Sequence, residues 1–172
     1  MSTKKYPKPL IIFHWLTVVL VISQIVIGKN LEKLDYTPEN FNAYRLHAFL
    51  GMFLLLITLA RMFYKRKHIN EIPALRYYGP THKILVNGVH MLMYILLIVI
   101  PLVGFYTIYQ TGGLAYDLGG PFPSVEPDKT LTELHEKLVL LLVTLIAAHV
   151  GGVLMYKLKT GENLLKRMCL LA

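Results

Sequence analysis

The sequence predicts an all-α integral membrane protein, a four-helix transmembrane bundle with N- and C-termini cytoplasmic. Three observations predict it. Of 172 residues, 55% are hydrophobic and only 16% charged, against roughly 25% charged in an ordinary soluble domain. Four apolar runs, residues 10–28, 46–64, 84–106 and 134–156, each approach the ~20 residues a helix needs to cross a bilayer. Histidines recur near the ends of these runs, and two of them, His135 and His149, share the last run. The length suits a single domain over residues 1–172.

Each run has its own punctuation. The first follows Lys4, Lys5 and Lys8 and resembles a signal peptide at first sight. It is longer than a typical h-region and no small-x-small cleavage site follows, so it is expected to be a retained helix. Before the second, Thr37-Pro38-Glu39 reads as a cap, a first-turn proline and an early acid, which starts that helix some ten residues ahead of His47. Pro101 lies inside the third run and is expected to kink it about two-thirds of the way across. Thr130-x-x-Glu133 is a capping-box pattern before the fourth. The Gly- and Pro-rich residues 112–127 read as an outer loop.

Loop charge sets the orientation. The N-terminal tail, the second connection (Arg61, Lys65, Arg66, Lys67, Arg76 and Lys83 against Glu71) and the C-terminal tail are strongly basic. The first connection is balanced and the third is acidic. The positive-inside rule then puts both termini and the middle connection in the cytoplasm. The net charge of +8 is therefore a topology signal, and with no nucleic-acid motif it does not indicate nucleic acid. The single cysteine, Cys169, excludes an intrachain disulfide. The absence of C-x-x-C-H excludes a covalently attached haem.

Ionisable groups at membrane depth are costly and usually functional. Of seven histidines, His68 and His82 fall in or beside the basic connection, and His14, His47, His90, His135 and His149 fall within or at the ends of the runs. Fourteen residues at about 100° each bring His135 and His149 to nearly one helix face, roughly 21 Å apart along the axis. Depth pairs His14 with His149 at the inner level and His47 with His135 at the outer level. A single histidine at a span end is most often an interfacial hydrogen-bonder. Four at two matching depths point instead to ligation. Two imidazoles facing each other inside a bundle suit a haem iron. Zinc suits the site less, since it wants four ligands and, apart from Glu136 next to His135, no Asp, Glu or Cys lies in the runs at these depths.

Small residues accompany the ligands: Gly51 after His47, and Ala147, Ala148, Gly151 and Gly152 around His149. They leave room for a flat ring. Arg45 and Lys137 beside the outer histidines, and Arg61 at the inner end, are candidates to neutralise haem propionates or to anchor at the interface. His90 has three open roles: a replacement ligand, a residue lining a quinone or proton site, or a hydrogen bond to a neighbouring carbonyl. The Tyr-rich run ends are most simply an aromatic belt.

These words together resemble the bacterial cytochrome b561 family, and within it the superoxide oxidase type. The resemblance spans essentially the whole chain. It rests on Ile12-Phe13-His14-Trp15-Leu16, Leu46-His47 with Gly51 and Arg61, His90 with Tyr94 and Pro101-Leu102-Val103-Gly104, Leu134-His135-Glu136, and Ala148-His149. It implies a bacterial inner-membrane, multi-pass protein with two haem b groups held by His14, His47, His135 and His149. It implies electron transfer from an outer donor to ubiquinone, the donor being superoxide in the superoxide oxidase type. Where that type holds a histidine near the quinone, this chain has Tyr156. The acidic third connection runs against steering an anion, although Lys29, Lys33, Arg45, Lys129 and Lys137 offer a local positive patch. The alternatives are an electron-transfer cytochrome b subunit serving a redox partner protein, and a histidine-bearing transporter without haem.

Overall fold

The computed structural model describes residues 4–123 and 125–170. Four long helices dominate: α1 (Lys8–Leu31), α2 (Phe41–Lys67), α3 (Pro80–Thr111) and α5 (Lys129–Thr160). All four are long and apolar enough to cross a membrane. Each runs beyond the apolar stretch that announced it, because polar residues at membrane interfaces continue a helix whose centre is already set in lipid. A short helix, α4 (Gly113–Asp117), and two 3₁₀ turns, Ile69–Glu71 and Leu164–Met168, complete the described residues.

Two helix starts differ from expectation. Thr37–Asn40 forms a tight turn, with the Asn40 N–H bonded to the Thr37 carbonyl at 3.1 Å, and α2 begins only at Phe41. The pattern at Thr37 therefore builds the turn rather than the helix. At α5 the cap is Asp128, whose carboxylate accepts the Leu131 N–H at 2.9 Å. A carboxylate at the N-cap holds a free N–H more strongly than a hydroxyl two residues later. Thr130 instead lies within the first turn.

Pro101 sits buried inside one unbroken α3. It removes one helical N–H, and the Leu97 carbonyl one turn earlier loses its donor. α3 and α5 end on Gly112 (φ +83°) and Gly161 (φ +73°), left-handed positions that glycine takes without strain. The lysines and arginine closing α2 and α5 sit at helix C-termini, where the backbone dipole favours cations.

The closely packed long-helix pairs are α1–α2, α2–α3 and α3–α5. They meet in a mid-depth layer of Leu20, Val21, Leu54, Leu96, Leu97, Ile100 and Leu142. Lipid is as apolar as these side chains, so the layer holds by close packing rather than by expelling water. Hydroxyls at depth are satisfied within their own helices: Thr17 donates to the Phe13 carbonyl and Thr58 to Leu54. The outward faces carry exposed Ile, Val, Leu and Phe, as a lipid-facing surface requires.

The described N- and C-terminal segments and the α2–α3 connection lie at one end of the bundle. The Tyr6 N–H bonds the Arg167 carbonyl at 3.1 Å, and the Arg167 guanidinium bonds the Ala74 carbonyl at 2.9 Å. The first and third connections meet at the other end through Tyr36 and Phe122, 5.4 Å between ring centres. The first end is named inner and the second outer, after the expectation from loop charge.

Candidate functional site

The waist at Leu142 divides the bundle into two levels. Leu142 stands seven residues from His135 and seven from His149, so α5 presents one histidine on each side of the waist. The close long-helix neighbour of α5 is α3, and α5 is the least buried of the four spans, at 6% of its apolar window against 28% for α1. His135 therefore meets His47 of α2 across looser packing than the other helices have.

At the outer level the His47 and His135 rings are 6.2 Å apart, centre to centre, at 68°. Two glycines from the flanking helices make their room. A Cβ on Gly28 of α1 would come 3.4 Å from His47 Cε1, and a Cβ on Gly104 of α3 would come 3.2 Å from His135 Cε1 and 3.4 Å from its Nδ1. Nδ1 of both histidines is buried without a hydrogen-bond partner among the described residues. The His135 ring stands beside the Ile100 carbonyl without completing a bond from Nδ1. Gln24 braces the site, its side-chain amide donating to the His47 carbonyl at 2.8 Å. Gly51 makes room for this amide, which a Cβ there would approach to 3.3 Å; it lies beside Gln24 rather than beside the His47 ring. Arg45 turns to α4, bonding Asp117 at 3.2 Å and also the Asn42 side chain. Two residues from His47, it projects about 200° around the helix from that ring.

At the inner level the structure gathers His14, His90, His149 and Arg61. His90 and His149 meet edge to face with ring centres 4.9 Å apart. His90 Nδ1 donates to the Val86 carbonyl at 2.7 Å, the carbonyl bond among its three open roles. His14 has Arg61, His149 and His90 within electrostatic reach, and its Nδ1 is buried and unpartnered among the described residues. Trp15 packs edge-on against His14 at 5.4 Å, and its indole N–H donates to the Met168 carbonyl at 2.8 Å. The C-terminal turn thus grips the residue next to a candidate ligand. His68 and His82 take no part. His68 pairs with Glu71 at 2.7 Å and His82 packs on Tyr77 and Tyr78.

Gly28 and Gln24 carry no signal of this role along the sequence, and Gly104 appears there with no role of its own. Gly28 closes the first apolar run and looks like a simple stop, Gln24 is one polar residue in an apolar run, and Gly104 lies three residues after a proline. Only the antiparallel registers of α1 on α2 and of α3 on α5 bring them to the histidines.

These residues fit a haem. A metal–imidazole bond of about 2 Å on each side separates two ring centres by about 6 Å, and the outer pair shows 6.2 Å. A buried imidazole nitrogen without a partner is costly in an apolar bundle, and ligation gives the ring its purpose. Among the described residues no three His, Cys, Asp or Glu side chains are grouped to hold a bare metal ion. The arrangement suits a macrocycle that brings its own equatorial ligands.

Comparison with known proteins points the same way. The sequence profile described as prokaryotic cytochrome b561 matches residues 5–169. Cytochrome b561 homolog 1 of Escherichia coli (strain K12) is 25% identical over 174 residues, covering 95% of this chain and 96% of that protein.

Proposed function

The chain belongs to the prokaryotic cytochrome b561 family, membrane-bound electron-transfer cytochromes that bind haem b, and from that premise we propose that it holds two haems and passes electrons from superoxide to ubiquinone. The proposed ligands are His47 with His135 at the outer level and His14 with His149 at the inner level. The observation that carries this reading is the outer pair: two rings 6.2 Å apart between two glycines, with both Nδ1 atoms buried and unpartnered.

When bound, haem supplies a reversible one-electron iron couple. The chain's part is geometric. Helix α5 is a rigid spacer that keeps His135 and His149 about 21 Å apart along its axis. The leucine layer between them excludes water and separates the two levels. Gln24 and Trp15, each tied to a backbone carbonyl, stiffen the turns that carry His47 and His14. In the overall reaction two superoxide ions lose one electron each and leave as dioxygen. One ubiquinone gains both electrons and two protons.

Superoxide as donor and ubiquinone as acceptor are supported by resemblance to the superoxide oxidase type. One observation favours a second reading, an electron-transfer subunit serving a protein donor. Three outer cations are already neutralised: Lys29 by Glu32 at 2.6 Å, Arg45 by Asp117 at 3.2 Å and Lys137 by Glu133 at 3.5 Å. That leaves less positive field to draw in an anion.

A reduced-minus-oxidised spectrum with haem stoichiometry tests the first claim, with two haems per chain expected. A steady-state assay with purified protein, a superoxide source and a ubiquinone tests the second. Quinone reduction no faster than in the protein-free control would reject the superoxide reading in favour of the subunit.

A further inference from the structure

The inner end of α2 carries two cations that no acid among the described residues answers. Arg61 and Lys65 lie one turn apart on one face, and both are half-buried, whereas Arg66 and Lys67 next to them are exposed. Both lean on the same ring of α3: the Arg61 guanidinium carbon is 5.7 Å and the Lys65 ammonium 5.6 Å from the centre of Tyr94. Among the described residues neither makes a hydrogen bond or an ion pair. The acids described at this end are engaged elsewhere: Glu162 by Arg167 at 2.5 Å and the Tyr156 hydroxyl at 3.4 Å, and Glu71 by His68 at 2.7 Å.

Two like charges one helical turn apart repel, and withdrawing them from water without a counter-ion is costly. A ring face offsets only part of that. Arg66 and Lys67 show that cations at this depth can reach out to the interface, so the inward pair has a reason to stay. Tyr6, whose neighbours include Arg61 and Tyr94, has its hydroxyl pushed above the ordinary tyrosine range by burial, so it remains a donor at neutral pH. The groups converging here are therefore donors and cations.

We propose that Arg61 and Lys65, backed by Tyr94, form a clamp for one oxyanion group, a carboxylate or phosphate, and that in the assembled cytochrome this is a propionate of the inner haem. Arg61 lies within electrostatic reach of His14, His90 and His149 alike, and Lys65 of His90. An anion on the clamp therefore sits against the inner ligand set. The assignment to propionate rests on the haem reading above. The other source of the same chemistry is the phosphate of an acidic lipid.

The test is the rate of haem loss to a haem-scavenging protein from the full-length chain in nanodiscs. The R61Q/K65Q protein is expected to release one haem roughly ten to a hundredfold faster, the factor for charge-assisted hydrogen bonds, and to keep the other at the wild-type rate. R61K is expected to recover part of the loss. Wild-type protein reconstituted with haem b dimethyl ester should release its inner haem as fast as the variant does, and combining ester and variant should add nothing. If instead variant and wild type release haem alike, but only wild type retains phosphatidylglycerol through purification, the clamp holds lipid phosphate and the propionate assignment falls. If neither haem release nor lipid retention changes, the clamp itself is refuted. A wild-type chain that binds no haem would refute the proposed function, and the lipid measurement would still decide the clamp.

Discussion

Gly104 offers the sharpest test of the outer site. Replacing it by alanine places a methyl carbon 3.2 Å from His135 Cε1 and 3.4 Å from its Nδ1. Carbon contacts settle near 3.5–4.0 Å, so the ring must retreat by about 0.3–0.8 Å. Metal sites hold their ligand distances to within about 0.2 Å, so the retreat is felt by a ligand more than by ordinary packing. Overfilling a packed site costs about 1–3 kcal/mol, which at about 1.4 kcal/mol per tenfold weakens retention of the outer haem by roughly 5- to 150-fold. Alanine favours helix over glycine by about 1 kcal/mol, so the polypeptide itself should not lose helicity. Gly88→Ala in the same helix is the control, since a Cβ there meets nothing within 4 Å. The assay is haem stoichiometry and a redox titration of both variants. G104A should lose or shift one haem component and G88A neither. A G104A protein that keeps both haems at wild-type stoichiometry and potential would refute the placement of His135 as a ligand packed on that glycine.

Other substitutions probe the remaining parts. H149A should remove one haem and spare the other, read from the reduced spectrum; retention of both would break the proposed inner pair. R167A should lower the melting temperature. It removes charge-assisted bonds to Glu162 and the Ala74 carbonyl worth about 1.5–3 kcal/mol, or several degrees for a chain of this size. Melting unchanged within a degree would show that the C-terminal turn is not tied down by Arg167. D117N should free the Arg45 guanidinium at the outer end and leave stability almost unchanged, because the pair is partly exposed. If superoxide is the donor, its consumption should rise at low salt and converge with wild type at high salt; a rate indifferent to both changes would exclude steering by Arg45.

Most of the architecture was legible along the chain because lipid imposes one solution on the backbone. Residues 84–106 had to be a helix whatever their neighbours, and α3 runs through them from Pro80 to Thr111. Helix ends were less legible. Thr130 carries the capping-box pattern, yet it is Asp128 whose side chain reaches a free backbone N–H of the first turn, a choice made in three dimensions. The candidate site divides in the same manner. His135 and His149 share one helix, so their common face and separation follow from helix geometry. Their partners do not.

Chain order alone determined that this protein spans a membrane four times, that histidines stand at two depths, and that α5 serves both. These are consequences of apolar run length, loop charge and a fixed helical period, all of which are local. Tertiary structure decided what surrounds each histidine: the Gly28 and Gly104 hollows at His47 and His135, the Gln24 brace, the contact of His90 with His149, and the inward turn of Arg61 and Lys65 over Tyr94. Each depends on the register between helices distant in sequence. Side-chain packing sets that register, and no helical period encodes it.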